Sequence, residues 1–119
     1  LKGTASMEVT EADTAVAMRS GSVQVLATPR IVALLEQATC AALAGHLADG
    51  CTTVGMRVQV DHLQPTPVGG RVDAEAVLEK IEGRRLTFMV SASDTKGVVA
   101  AGRVTRVLVE VDRFMDKTR

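Results

Sequence analysis

The chain has 119 residues, of which 46% are hydrophobic, so it is long enough to bury one core and too apolar to be disordered. Lysine plus arginine and aspartate plus glutamate both number 14, and aromatic residues make up only 2% of the chain. The excess of basic charge and the base-stacking rings typical of nucleic-acid-binding proteins are both missing, so we expect no nucleic-acid partner.

The first quarter of the chain carries weak structural signals. Residues 7–10 (MEVT) predict a short first strand, and residues 1–6 are assigned to no element. Residues 12–18 are weakly helical or irregular, and the Ser-Gly-Ser sequence at 20–22 interrupts them. Residues 23–26 are expected to be extended.

A long apolar helix follows, from Thr28 to about Leu47. Thr28 is a favourable N-cap residue, and Pro29 then occupies the first helical position, where its missing N–H costs nothing. The helix is expected to stop at Asp49 and Gly50. Apolar positions surround most of its circumference, which is typical of a buried helix, but it is too short and too often interrupted by polar residues to span a membrane.

After Gly50 the hydrophobic period changes from that of a helix to that of a strand. We predict strands at residues 52–64, 71–81, 85–93 and 98–111, joined by short turns, and a polar tail at 113–119. Short turns imply antiparallel neighbours, so the class is α+β, and residues 1–119 are expected to form a single domain. One sheet cannot cover a helix that is apolar on nearly all sides, so a homodimer or a larger oligomer is expected.

The strand at 52–64 has two chemically different faces. Its alternation predicts one face that contains Val58, Val60 and His62, together with Val54 and Met56. Gly55, Arg57, Gln59 and Asp61 are assigned to the other face. His62 is thereby directed towards the core that the helix fills.

Three residues are candidates for chemistry: Thr28, Glu36 and His62. Glu36 is the one formally charged residue between Arg30 and His46, and a carboxylate in a buried helix is costly unless it is paired or protonated. A carboxylate and a histidine on a shared apolar surface are typical of an acid/base pair. Thr28 adds a hydroxyl at a helix start, where free N–H groups favour negative charge.

Each candidate also has a structural interpretation. Thr28 can be only an N-cap, His62 can be a residue of the core rim, and Glu36 can form an ion pair with Arg57 or Arg106. Thr28 and Glu36 are eight positions apart, about 12 Å of helix rise, so they do not touch within one helix. Either a substrate group or water fills that gap, or two subunits complete the site.

Four segments resemble a known family: ATPRIVALLEQATC, VGMRVQVDHLQPTPVGG, EGRRLTFMVSASD and AAGRVTRVLVEVDRF. Over residues 27–114 the chain is similar to the hotdog domain of acyl-CoA thioesterases, and more narrowly to the fluoroacetyl-CoA thioesterase branch. The resemblance implies an α+β hotdog fold with an antiparallel sheet around the central helix, and hydrolysis of a small acyl-CoA at a dimer interface.

The resemblance also implies site roles, because its Thr-x7-Glu and Glu-x25-His spacings fit Thr28, Glu36 and His62 without a gap. Glu36 is implied as nucleophile or general base, His62 as its acid/base partner, and Thr28 as the group that positions the substrate or its oxyanion. Gly55 and Gly102 are positions where a ligand can approach the backbone closely. Four arginines are candidates for binding the CoA phosphates, and a solvated strand face explains them equally well: Arg84, Arg85, Arg103 and Arg106.

One departure from the branch concerns the acyl group. The fluoroacetyl-specific enzyme has a Phe-bearing lid segment ahead of its helix, whereas residues 15–26 here contain no aromatic side chain. The two phenylalanines are Phe88 and Phe114. The sequence therefore does not determine which acyl group the substrate carries.

Further expectations concern cofactors, location and function. Cys40 and Cys51 have no metal-ligand spacing, so we expect no metal and no cofactor beyond the CoA of the substrate. No signal-like segment opens the sequence, which predicts a cytoplasmic protein without a membrane partner. The alternative to a thioesterase is a non-catalytic acyl-CoA binding or sensing protein. A hydratase ranks last, because it would usually need a differently placed Asp/His pair.

Overall fold

The computed structural model describes residues 1–119 and contains five strands and two α-helices. The strands are β1 (Lys2–Glu8), β2 (Cys51–His62), β3 (Arg71–Glu82), β4 (Arg85–Asp94) and β5 (Gly97–Glu110). The helices are α1 (Thr28–Leu43) and α2 (Val111–Asp116), and a short 3₁₀ turn covers Glu11–Asp13. The helix and the four strands after it follow the predicted order.

All strands form one antiparallel sheet with the order β1-β3-β4-β5-β2. Two tight turns join its centre: Gly83 has a φ of +62° between β3 and β4, and Gly97 has a φ of +129° at the start of β5. β3, β4 and β5 are therefore neighbours in chain order, as short connections require. The predicted pairing of consecutive strands is wrong for β2, because residues 63–70 carry the chain away from it to β3 and β2 pairs with β5 instead. The two edges are β1 and β2, and β2 carries His62.

The core lies between α1 and one face of the sheet. Side chains of α1 that are fully buried include Ile31, Leu34 and Leu35. They meet Phe88, which is also fully buried and which forms the inward face of β4 together with Leu86, Val90 and Ala92. Burial of such side chains, worth about 1.5–3 kcal/mol each, is what holds α1 on the sheet.

Several predicted boundaries are wrong. The N-cap is Ala27 and Thr28 is the first helical residue, with no capping hydrogen bond from its side chain, which frees its hydroxyl. The helix ends at Leu43 because the chain reverses through Gly45 at a φ of +79°, before Gly50 is reached. Residues 113–119 are not simply a polar tail, since α2 covers their first half.

The first strand is also longer than predicted and uses the residues that were given no element. β1 pairs with β3 from Lys2↔Val77 to Glu8↔Arg71. Gly3 lies directly against α1, so close that a Cβ there would overlap the backbone at Ala38 and Ala42. The strand was missed because its packing partners are remote in sequence.

A β-bulge in β2 changes the predicted faces. The pairing with β5 shifts between Gly55 and Arg57, so that Met56 is the extra residue. Gly55 pairs with Arg106, whereas Val58 pairs with Val104 and His62 with Ala100. Gly55 therefore lies on the helix face with Val58 and His62, and not on the opposite face as predicted.

The β2 end of the sheet is left uncovered. Val58 is on the helix face yet 40% exposed, and Met56 in the bulge is 42% exposed. On α1 itself, exposed residues recur at Ala33, Gln37 and Ala41, because the helix packs mainly over β1 and β3. An edge strand with an apolar surface of this kind is typical of an interaction site. Neither helix has the length and apolar character needed to cross a membrane.

The contact of Gly3 with α1 gives a stability prediction. Gly3→Ala is expected to lower the free energy of unfolding by about 1–3 kcal/mol, because the added methyl group meets helix backbone that cannot move aside. Gly21→Ala is the matched control, since a Cβ there meets only the Ala15 side chain at 3.3 Å. Urea unfolding of both variants is the measurement. Equal stability of Gly3→Ala and the wild type would contradict this packing.

Candidate active site

Thr28 and His62 form a hydrogen-bonded pair where α1 begins and β2 ends. The Thr28 Oγ1 atom lies 2.8 Å from His62 Nδ1. Because Thr28 is not the N-cap, its hydroxyl is not used by the helix, and its own N–H has no hydrogen-bond partner in the protein. A hydroxyl and a free N–H at a helix start are suited to receive developing negative charge.

His62 is held in an environment that favours its neutral form. Burial lowers the pKa of His62 below its ordinary value of 6.5, and the backbone of Gln64 opposes this shift without reversing it. Nε2 is buried and has no hydrogen-bond partner. A neutral ring leaves Nδ1 able either to accept a proton from Thr28 or, in the other tautomer, to donate one to it.

Glu36 occupies a second cluster further along α1. Arg106 Nη1 donates to Glu36 Oε2 at 3.2 Å, while its Nε donates to Thr53 Oγ1 at 2.8 Å and its Nη2 to the Thr53 carbonyl at 3.0 Å. The Arg106 side chain is 8% exposed and that of Glu36 is 35% exposed. The Glu36 carboxylate, which was expected to be buried, is therefore partly exposed to solvent and paired with Arg106. This ion pair fixes its orientation.

The structure does not bring Glu36 and His62 together within one chain. Glu36 Oε2 is 2.5 Å from the place that a Cβ on Gly55 would occupy. His62 lies six ladder positions further along β2 than Gly55, because Met56 is the extra residue of the bulge, and at about 3.3 Å per position this is roughly 20 Å. Two side chains cannot bridge that distance. The pair Thr28–His62 and the pair Glu36–Arg106 are thus separate within one subunit.

A cavity adjoins the Thr28–His62 pair. It has a volume of about 310 Å³ and lies between residues 15–28 and the end of β2. Its wall combines apolar and polar side chains, which are Ala15, Ser20, Val23, Val25, Leu26, Leu63, Gln64 and Pro65, together with Gly21. A concave site beside a perturbed histidine is the usual form of an active site.

The other residues that were predicted to contact the substrate differ in whether they already form contacts within the chain. Arg103 forms a bidentate pair with Glu79, at 2.9 and 3.2 Å. Gly102 faces the β2 backbone at Gln59, and this close strand approach accounts for the missing side chain. Arg84 and Arg85 form no ion pair. No group of three or more His, Cys, Asp or Glu side chains is placed to hold a metal ion.

Sequence reasoning missed the residues that support this site. Thr53 holds Arg106 through its hydroxyl and its carbonyl group, and nothing in the sequence distinguishes it from Thr52. Asp13 and Arg30 form a partly buried ion pair of 3.1 Å that fixes the cavity wall to α1. Thr10 and Arg30 contribute to a lowered pKa of Asp13, although burial opposes that shift. In the sequence, only the opposite charges of Asp13 and Arg30 indicated that these two side chains could form a contact.

Comparison with known proteins gives consistent matches. The family model described as fluoroacetyl-CoA-specific thioesterase matches residues 9–112. The fluoroacetyl-CoA thioesterase of Streptantibioticus cattleyicolor is 35% identical over 96 residues, which are 81% of this chain and 69% of that protein.

Solved structures match equally well. The fluoroacetyl-CoA thioesterase FlK superposes with a TM-score of 0.93 and 30% identity, covering 100% of this chain and 93% of that one. A Thermus thermophilus protein described as a thioesterase superfamily member gives a TM-score of 0.92 at 26% identity, covering 100% and 88%.

These matches and the curled sheet against one long helix define an α+β hotdog-fold thioesterase that acts on acyl-CoA. The chain belongs to the family of fluoroacetyl-CoA-specific thioesterases. It is an enzyme of this class, and the non-catalytic alternative is not supported.

The environment of His62 predicts how stability depends on pH. Its pKa is lower in the folded than in the unfolded chain, so the unfolded chain binds more protons between the two values. The stability that His62 contributes is complete above about pH 6.5 and is lost as the pH falls through the folded-state pKa.

NMR titration of the His62 ring should give a pKa below 6.5. Urea unfolding at pH 7.5 and at pH 5.5 should show that the free energy of unfolding declines less in His62→Gln than in the wild type. A normal pKa with equal declines would contradict the burial of the ring.

Proposed function

We propose that the protein hydrolyses a small acyl-CoA thioester to the free acid and CoA, at a site completed by two subunits. The observation that supports this most is the 2.8 Å contact between Thr28 Oγ1 and His62 Nδ1 beside a cavity of about 310 Å³. A hydroxyl oriented by an imidazole, with a free N–H next to it, fits the oxyanion of a thioester addition step. No cofactor beyond the substrate's CoA takes part, and a cytoplasmic location is part of the proposal.

The second subunit supplies what one chain lacks. β2 is an edge strand, and its apolar residues Met56 and Val58 are exposed. An antiparallel pairing of two β2 strands centred near Gln59 places His62 of the partner subunit opposite the bulge at Gly55, with both on the helix face. Glu36 then lies beside the partner's His62, and the separation of about 20 Å within one chain is overcome.

In this shared site each group has a distinct task. The carboxylate of Glu36 attacks the thioester carbonyl carbon, or takes a proton from a water that does, and Arg106 holds it in position. Thr28 donates a hydrogen bond to the oxyanion, and neutral His62 orients Thr28 through Nδ1. When Glu36 acts as base, the C–S bond of the water adduct breaks and the proton held by Glu36 passes to the CoA sulfur. When Glu36 attacks directly, the C–S bond breaks to leave an acyl anhydride on Glu36 and the CoA thiolate; a water then splits the anhydride, which releases the acid, restores the carboxylate and supplies the proton of the CoA thiol. Gly55 leaves room for the carboxylate, and Arg106 acts on Glu36 and not on the CoA phosphates.

Substitution of the three proposed catalytic residues tests this assignment. Glu36→Gln should lower kcat by roughly 10²–10⁴, the usual effect of losing a positioned acid/base group. His62→Ala should lower kcat by roughly 10²–10³, because the Thr28 hydroxyl is then no longer oriented towards the oxyanion. Thr28→Ser should be milder than Thr28→Ala, because serine keeps the hydroxyl. The measurement is thiol release from a panel of acyl-CoA thioesters, with circular dichroism as the check on folding.

Gln37→Ala is the control, since Gln37 is exposed on the same helix next to Glu36. Wild-type turnover in the folded Glu36→Gln variant would leave the carboxylate with a structural role only. Binding of acyl-CoA by the wild type without any thiol release would overturn the proposed function.

Mixing of inactive variants tests the shared site. Light scattering should show a dimer, and Glu36→Ala mixed with His62→Ala should regain roughly a quarter of wild-type activity, because half the dimers are mixed and each then holds one intact site of two. Thr28→Ala mixed with His62→Ala is the control and should stay inactive, since these two residues act from the same subunit. No recovery in the first mixture, or recovery in both, would contradict the arrangement.

A further inference from the structure

The wall of the cavity beside Thr28 contains an aliphatic strip that runs from its floor to its rim, next to polar side chains. Leu26 (1% exposed) and Ala15 (8% exposed) form the floor, whereas Val23 (59% exposed) and Leu63 (55% exposed) stand at the rim. No aromatic ring takes part, because Phe88 is buried in the core and Phe114 belongs to α2. An apolar strip therefore begins next to the Thr28 hydroxyl.

The wall is fixed before any ligand arrives. Ala15 N donates to the Val25 carbonyl at 2.9 Å, and Ala27 N donates to the Asp13 carbonyl at 2.8 Å. The ion pair of Asp13 with Arg30 joins the base of this segment to the helix. Little ordering of the chain is then needed when a ligand binds, so apolar contacts with the wall translate efficiently into affinity.

Size distinguishes the acyl groups that this wall suits. An apolar cavity of about 150 Å³ holds a six-carbon ring, and this cavity has about 310 Å³. A two-carbon acyl group placed at Thr28 would leave most of the aliphatic wall in contact with water. A longer chain would cover it.

We infer that the cavity lined by Val23, Leu26 and Leu63 binds the acyl chain, and that the preferred substrates are aliphatic acyl-CoA thioesters of about four to six carbons. This inference rests on the proposed function. The polar groups Ser20 and Gln64 lie on the same wall, and the aliphatic strip beside them sets the chain length. Each methylene buried there contributes about fourfold in kcat/KM, which corresponds to about 0.8 kcal/mol.

The test compares kcat/KM for acetyl-, butyryl- and hexanoyl-CoA. In the wild type the ratio of hexanoyl to acetyl should exceed about tenfold, because four methylenes are added and part of each stays near the open rim. Val23→Phe fills the cavity from its rim and should lower this ratio at least tenfold; Leu63→Phe, on the opposite rim, should do the same. Val77→Phe is the matched control, since Val77 is exposed on the outer face of the sheet and should leave the ratio unchanged.

The outcomes separate the two proposals. A wild-type preference for acetyl-CoA would overturn the assignment of the acyl group while leaving thioester hydrolysis intact. Equal losses for all three substrates in Val23→Phe would place the pantetheine arm, and not the acyl chain, in this cavity. Absence of thiol release from every substrate would instead overturn the proposed function.

Discussion

The structure depends on how one sheet covers one helix. α1 packs over β1 and β3, and its buried side chains Ile31, Leu34 and Leu35 form the core there. The same sheet continues through β5, where Ala100 and Val104 are still fully buried, to β2, where Val58 is 40% exposed. Because the apolar face is longer than the helix that shields it, the fold is left with an unpaired strand edge at the end that carries His62.

The bulge in β2 makes room for the Glu36 carboxylate at this edge of the sheet. By adding Met56 to the strand, it turns Gly55 towards α1, and a glycine at that position leaves space for the Glu36 carboxylate. Arg106, opposite Gly55 on β5, then holds that carboxylate from a largely buried position with two bonds to Thr53. A charge pair of this kind contributes little to stability by itself, and its value lies in the fixed orientation of the carboxylate.

The division of the polar groups into two clusters follows from the lengths of the elements. Thr28 and Glu36 stand about 12 Å apart on α1 by helix rise. The residues of β2 that they contact, His62 and Gly55, are likewise separated along that strand. The first cluster has a cavity, a hydroxyl and a neutral imidazole; the second has an oriented carboxylate. Neither contains all the groups proposed for thioester hydrolysis, which is the physical basis of the proposal that two subunits complete the site.

Local patterns in the sequence were sufficient for the helix and four of the strands, because period, turn residues and helix signals are local properties. The same patterns and a family resemblance identified Thr28, Glu36 and His62 as residues of interest. They also predicted that Glu36 had a candidate ion-pair partner in Arg106, without choosing it over Arg57.

What the tertiary structure decided lies in contacts between distant segments. β1 exists because Gly3 can lie against α1 and its strand can pair with β3, which residues 1–6 do not reveal. The bulge is a mismatch between β2 and β5, so alternation within β2 placed Gly55 on the wrong face. The hydrogen bond of Thr28 to His62 and the wall formed by residues 15–28 arise between segments more than 30 positions apart. The sequence thus determined which groups are present, whereas the packing of remote segments determined which of them meet.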